Sequence, residues 1–366
     1  LWLSGFDARQ SVSISGSPNA GTDYQVRVDV TYDSDMLPDF GDIRFTDNDG
    51  QTELDYWLES YTASTSALFW VEVADSLATA GTIYMYYRNT SVVSTASDGP
   101  ATFVLFDDFN DGSINATLWD TNQAPSESGG LIVLSSAATS EMIISDDTFD
   151  QMRTRGNISL GDPSSTYGGR YGWSSAVGGA EDQDATIWQV NPTETSLRTD
   201  NDIDQESTTM GDFGEAYHIY QLDWSDIEVV CYIDDVLEAN HTTYIPDDGE
   251  INKLQLQSYR SGCITYGDWV FISKYTESEP QVQSFGAEEK TGWNNAGTVT
   301  VYLVIYDTIL MWGLDTLYVL AGLVLMPMST MYLVKGGRKS FSAEKMFYFL
   351  VVFIFGFALF VGGIMP

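Results

Sequence analysis

Residues 67–87 read ALFWVEVADSLATAGTIYMYY, and this stretch decides the fold. Ala67–Val73 and Thr82–Tyr87 are short runs of β-branched and aromatic residues, and the segment between them holds Asp75, Ser76 and Gly81. Period-two runs bounded by turn residues read as strands, and many at this spacing read as an all-β sandwich. The same grammar recurs at Ser11–Ser15 (SVSIS), Tyr24–Val30 (YQVRVDV), Leu131–Leu134, Glu228–Ile233 (EVVCYI), Lys253–Gln257 (KLQLQ) and Asp268–Ile272 (DWVFI). Helical periodicity is nearly absent from residues 1–290.

The chain has 366 residues and a net charge of −36 from 52 acidic and 16 basic side chains. That length suggests two or three domains. The charge excludes a nucleic-acid binder, which needs a basic footprint to neutralise phosphates. A hydrophobic content of 43% excludes a disordered acidic chain. The acidity is not evenly spread. Residues 1–306 hold 12 basic and 49 acidic residues, a net −37, and the last 60 residues carry +1.

The tail contains two uncharged runs, Thr316–Val334 and Met346–Pro366, each near the 20 residues that a hydrocarbon core requires. Between them Lys335, Arg338, Lys339 and Lys345 crowd an 11-residue loop. Basic short loops stay cytoplasmic. The pattern predicts a two-helix membrane hairpin over 299–366, with helices at about 305–334 and 346–366 and a cytoplasmic loop at 335–345. Residues 1–298 and the C-terminus are then outside, with the lipid bilayer as a partner. That placement requires translocation and so predicts a removed signal peptide. Asp307 and Asp315 share a helix face two turns apart, and Asp315 falls at or just inside the outer interface, as a carboxylate reaching water or as a partner contact or ion pathway.

Domain boundaries are expected at the Gly-Pro segment STASDGPAT (94–102) and at GAEEKTGWNNAGT (286–298). They divide the exterior into modules at 1–102 and 103–288, followed by a stalk at 289–298.

Two stretches carry family resemblances. Asp39–Ser60 (DFGDIRFTDNDGQTELDYWLES), Phe69–Val73 and Ile83–Asn89 resemble an uncharacterised domain family of secreted and surface proteins in archaea and bacteria. Arg88 stands where that family usually has Gly. The second stretch begins at Phe106–Gly112 (FDDFNDG) with Leu118-Trp119. It closes with Tyr217–Trp224 (YHIYQLDW), Cys231–Asp235 (CYIDD) and Tyr266–Tyr275 (YGDWVFISKY). It is similar to concanavalin-like, laminin-G-like jelly rolls. The expected fold is therefore an all-β ectodomain of two tandem β-sandwiches, the second a concanavalin-like jelly roll, above a transmembrane hairpin. The resemblance implies a module for display, adhesion or glycan contact.

Concanavalin-like folds also house glycosidases whose carboxylates sit on one strand. The jelly-roll segment has no E-x-D-x-E strand, and Glu53, Asp55 and Glu59 share a face only if one strand carries all three. A non-enzyme is expected. His218 and His241 are the only histidines, with no nucleophile elbow and no zinc spacing. Asp107, Asp108 and Asp268 are candidate ligands of a structural calcium, because the first and last strands of the resembled fold are neighbours and hard cations favour carboxylates. Cys231 and Cys263, an even pair in an extracellular domain, suggest a disulfide. Sequons at Asn89, Asn115, Asn157 and Asn240 fit glycosylation. Tyr171, Trp173 and Trp188 lie in a Gly-rich segment, either to anchor the core or to stack on sugars.

The expected function is a membrane-anchored surface protein that binds glycans or other surface proteins. One alternative is a structural or accessory subunit of a larger membrane assembly with partners at the hairpin. A glycan-active enzyme is the third and is disfavoured by the missing carboxylate strand.

Overall fold

The computed structural model describes residues 1–89, 91–92, 94–135, 140–161, 168–174, 183–191, 193–201, 203–213, 215–246, 252–259 and 262–291. The expected hairpin, with Lys335, Arg338, Lys339 and Lys345, lies outside the described residues. Among those described, no helix is long and apolar enough to cross a membrane.

The first sandwich is built from β1 (Ala8–Ile14), β2 (Tyr24–Thr31), β3 (Arg44–Thr46), β4 (Glu53–Leu54), β5 (Tyr56–Thr62), β6 (Ser66–Val73) and β7 (Gly81–Tyr87). One short helix, α1 (Gly99–Thr102), leads to the jelly roll. The latter comprises β8 (Leu105–Asp107), β9 (Trp119–Asn122), β10 (Ser126–Glu127), β11 (Ile132–Ser135), β12 (Glu141–Ser145), β13 (Met152–Ser159), β14 (Gly169–Ser174) and β15 (Gln183–Asn191). It continues with β16 (Glu194–Asn201), β17 (Gln205–Gly211), β18 (His218–Trp224), β19 (Val229–Ile233), β20 (Val236–His241), β21 (Lys253–Ser258) and β22 (Ile264–Lys274). The chain then returns to the first sandwich as β23 (Val282–Phe285) and β24 (Glu289–Lys290).

In the first sandwich a sheet ordered β23-β1-β7-β3-β4, with β24 also on β1, faces the sheet β2-β6-β5. Alternation places Val26, Val28, Phe69, Val71, Ile83 and Met85 in the shared core. Residues 282–290, assigned by sequence to the jelly roll and stalk, instead extend this sheet: Val12 pairs Phe285 and Ala8 pairs Lys290. Arg88 adopts φ 63°, the left-handed region that the resembling family fills with Gly, and its N–H donates to Asp42 Oδ2 at 2.8 Å.

The jelly roll stacks an eight-stranded sheet, β10-β11-β22-β13-β18-β19-β20 with β8 on β22, against the seven-stranded β17-β16-β15-β14-β21-β12-β9. Tyr171, Trp173, Leu197, Leu222, Trp224, Leu256 and Ile272 fill the space between.

β6 explains why ALFWVEV is apolar on both faces. Ala67, Phe69 and Val71 enter the first core, whereas Leu68 and Trp70 join Phe103, Phe106, Trp269 and Phe271 in a second cluster between the modules. Phe103 stacks on Phe271 at 3.9 Å, and Trp57 meets Trp269 edge-on at 5.0 Å. The Gly-Pro linker is thus a packed joint. Asp98 caps α1 by accepting from Ala101 N at 3.1 Å, and a Cβ on Gly99 would sit 2.4 Å from the Phe106 ring.

The predicted disulfide is corrected, since Cys231 and Cys263 are both free and buried. Cys231 lies on β19 and Cys263 immediately precedes β22, three strands away in the order β22-β13-β18-β19. Strand spacing sets about 14 Å between such positions, twice the reach of a disulfide. Burial pushes the Cys231 thiol up, which keeps it protonated and unreactive.

Candidate functional site

The outward face of the seven-stranded sheet carries a group of polar and aromatic side chains. β14, β15 and β21 turn Tyr171, Trp173, Ile187, Leu254 and Leu256 inward. The alternate positions, Arg170, Thr186, Trp188, Gln255 and Gln257, therefore point away from the core. The register brings them together: Arg170 pairs with Trp188 on one side and Gln257 on the other, and Gly172 pairs with Thr186 and Gln255. Gly172 is a close approach: at φ 136° a Cβ would sit 2.4 Å from the Ala185 carbonyl oxygen and 2.7 Å from Leu222 Cδ1.

The Arg170 guanidinium lies 3.4 Å over the Trp188 ring and donates to Gln257 Oε1 at 3.4 Å. Tyr259 tilts against Trp188 at 5.6 Å, and Arg198, paired with Asp200 at 2.8 Å, stands 5.4 Å from the same ring. Trp188 Nε1 donates to Thr186 Oγ1. Arg170, Trp188, Gln255 and Gln257 are all buried although they face away from the core. Among the described residues, Gln255 Nε2 and Gln257 Nε2 have no acceptor. A buried amide left without a partner costs about 1–3 kcal/mol, a cost that this face carries twice.

Of the three aromatics singled out by sequence, Tyr171 and Trp173 belong to the core and Trp188 to this face. The glutamines were not anticipated. Their signal is KLQLQ, in which leucine faces in and glutamine faces out.

Glu53 and Glu59 do not share a strand face. β4 and β5 belong to different sheets, and Glu59 is consumed by Arg155 at 2.8 Å. His218 Nδ1 lies 2.6 Å from Asp234, and His241 bridges Thr199 and Thr208 at 2.9 Å each. Burial lowers the His241 pKa and keeps the ring neutral.

β8 and β22 do pair, Asp107 opposite Val270. Asp107 accepts from Phe109 N at 2.9 Å and Trp119 Nε1 at 2.7 Å, and Asp268 accepts from Asn157 Nδ2 at 2.9 Å. Burial raises the pKa values of Asp107 and Asp108. Glu127, on β10, is pushed up to about 7 by burial and by the charges of Asp107 and Asp111. Among the described residues three carboxylates close within 4.8 Å at Asp33, Asp35 and Glu288, where Lys290 Nζ already lies 2.8 Å from both Asp35 and Glu288. Of the sequon asparagines, Asn115 and Asn240 are exposed and Asn89 and Asn157 half-buried.

Residues 39–122 match a family model described as a domain of unknown function (DUF2341), which spans β3–β7 of the first sandwich, α1, and β8 and β9 of the jelly roll. No curated protein matches the chain. Among solved structures, a laminarinase from Rhodothermus marinus is 12% identical, with 48% of this chain and 98% of that chain covered and a TM-score of 0.41. A β-1,3-1,4-glucanase (lichenase) from a mouse hindgut metagenome is also 12% identical, covering 47% and 99%, with a TM-score of 0.38. The endo-β-1,3-glucanase of Pyrococcus furiosus is 11% identical, covering 48% and 94%, with a TM-score of 0.39.

These jelly rolls are glucanases and laminarinases, so the non-enzyme expectation is corrected and not retained. At such identity the likeness concerns the fold and assigns no reaction.

Proposed function

We propose that the protein recognises carbohydrate on the outward face of the seven-stranded sheet, displayed outside a membrane by the C-terminal hairpin. The observation that carries the glycan reading is the pair of buried, unsatisfied amide donors, Gln255 and Gln257, beside the Arg170–Trp188–Tyr259 stack. Sugars present hydroxyl acceptors at their edges and C–H faces to aromatic rings, which matches this set. The two uncharged runs and the basic loop support the tether.

A glycan array probed with the full-length chain tests the reading, and Gln255→Met gives it a sign. Replacing an orphaned buried amide with an apolar side chain of similar shape leaves stability unchanged or raised. The same change removes a donor, so affinity should fall about fivefold to tenfold, or about 1–1.5 kcal/mol. Trp188→Ala should weaken binding further. Blank arrays with folded protein, or Gln255→Met binding as wild type, would sink the proposal.

Calcium at Asp107, Asp108 and Asp268 is proposed alongside, with Glu127 as its reporter. The folded pKa of Glu127, about 7, lies above the unfolded value near 4.3. Its contribution to stability is therefore present below about pH 4 and lost as pH rises through 7. Melting temperature should fall between pH 5.5 and 8, and Glu127→Gln should flatten that slope. Millimolar calcium should raise the melting temperature more at pH 8 than at pH 5.5. No shift at either pH argues against the ion.

A further inference from the structure

The two sandwiches leave a groove of about 580 Å³ between them, within the range of ligand sites and at a domain interface where such sites concentrate. One wall is Pro280–Phe285, six consecutive residues. Side chains of a strand alternate between faces, so consecutive lining residues mean that the strand presents its edge, the backbone itself. β23 has β1 on one side and, among the described residues, no strand on the other. The facing wall is Gln25, Arg27 and Asp29, alternate residues on one face of β2. A free strand edge therefore looks across the groove at a row of polar side chains.

The charge in the groove is unbalanced. Asp29, Asp223, Asp235 and Glu279 line it with only two guanidiniums, Arg27 and Arg153. Arg153 is spent on Asp223 at 2.6 Å and Glu279 at 2.7 Å, and its side chain is 5% exposed. Arg27 alone serves Asp29 at 3.2 Å, while also reaching Asp235 at 3.0 Å, which Arg155 holds at 2.8 Å, so Asp29 is the least compensated carboxylate of the groove. The Asp29 side chain is 68% exposed and that of Asp235 44%.

We propose that this groove takes an extended segment of a partner protein, which adds to β23 as a strand and sets a Lys or Arg side chain against Asp29 and Asp235. A strand edge offers N–H and C=O groups in the repeat of another extended chain, which an oligosaccharide does not reproduce. The exposed edge is also undefended: no Lys and no Pro falls within Val282–Phe285 to discourage pairing. The proposal does not depend on the glycan reading, which concerns the opposite sheet of the jelly roll.

The test is fluorescence anisotropy with the full-length chain and a library of labelled hexapeptides that alternate Thr and Val around one variable position, filled by Arg, Ser or Glu. Arg peptides should bind saturably below about 1 mM and Glu peptides more weakly. Backbone N-methylation of the best Arg peptide, which removes two strand hydrogen bonds, should cost about tenfold. Asp29→Asn, an exposed position that folds regardless, should weaken the Arg peptide about twofold to fivefold without changing the Ser peptide. Bound peptide should slow amide hydrogen exchange at residues 282–285. The proposal is overturned if no peptide binds, if N-methylated and parent peptides bind alike, if exchange at 282–285 is unmoved, or if a neutral glucan hexaose displaces the peptide.

Discussion

Residues 1–102 expressed alone show no cooperative melting, whereas residues 1–291 melt as one unit; this is the expected result if the returning strands complete the first sandwich. The sequence boundary at 94–102 implies a separable module. The structure gives that module three dependencies on later chain. β1 is an interior strand of its sheet because β23 and β24 cover it, and Val282 and Phe285 pack against the core. Arg9, stacked 4.6 Å from Trp2 and 4.1 Å from Tyr84, is held by Glu289 at 2.8 Å, and Tyr87 donates to Glu288 at 3.0 Å. The outer face of β5–β6, with Trp57, Leu68 and Trp70, meets water once the jelly roll is removed. Two apolar side chains and several hydrogen bonds sum to roughly 5 kcal/mol, comparable to the whole stability of a small domain. Circular dichroism on the fragment reads the loss, and a synthetic peptide covering 278–291 should restore part of the fold in trans. A fragment 1–102 that melts as sharply as 1–291, at the same temperature, would show that the strap is an accessory.

How far the sequence discloses this can be followed strand by strand. Alternation in YQVRVDV and KLQLQ identifies strands and the inward face of each, because burial on one side of a sheet leaves a period of two. ALFWVEV identifies a strand but not its second face, since Leu68 and Trp70 are apolar for a neighbour that only the three-dimensional joint supplies. Val282–Phe285 is too short and too polar to announce a pairing with residues 12–14, a contact about 270 positions away in the chain. The cysteines illustrate the limit of counting: an even pair says nothing about the two strands, β13 and β18, that separate them. At the site, Trp188 could be suspected from composition. Gln255 and Gln257 are legible only as alternating residues, and their missing partners are a property of packing.

The same joint carries the largest point effect. Arg155→Ala should destabilise residues 1–291 by about 3–5 kcal/mol, the cost of leaving a buried charge without its partner. Arg155 on β13 is 1% exposed, and Glu59 on β5 is 5% exposed. They meet at 2.8 Å, and Glu59 also accepts from Trp70 Nε1 at 2.7 Å. Arg155 further donates to Gln221 at 3.0 Å and Asp235 at 2.8 Å. Every branch of the guanidinium is thus used, and two of its partners belong to the jelly roll while Glu59 belongs to the first sandwich. Truncation of Arg155 leaves Glu59 with Trp70 Nε1 alone, whereas Glu59→Ala should cost less, because Arg155 keeps Asp235 at 2.8 Å and Gln221 at 3.0 Å. A Glu59→Met/Arg155→Met double variant replaces the pair with apolar side chains, and its loss should be far smaller than the sum of the single alanine variants. Urea unfolding of the four proteins measures the coupling, and an Arg155→Ala loss under about 1 kcal/mol would contradict the buried pair. The double variant also separates affinity from register. Apolar residues can hold the modules together in several orientations, whereas a carboxylate–guanidinium pair is satisfied in one. If the double variant keeps its stability but loses peptide binding in the groove above Asp235, the ion pair sets the alignment of the walls rather than the strength of the joint.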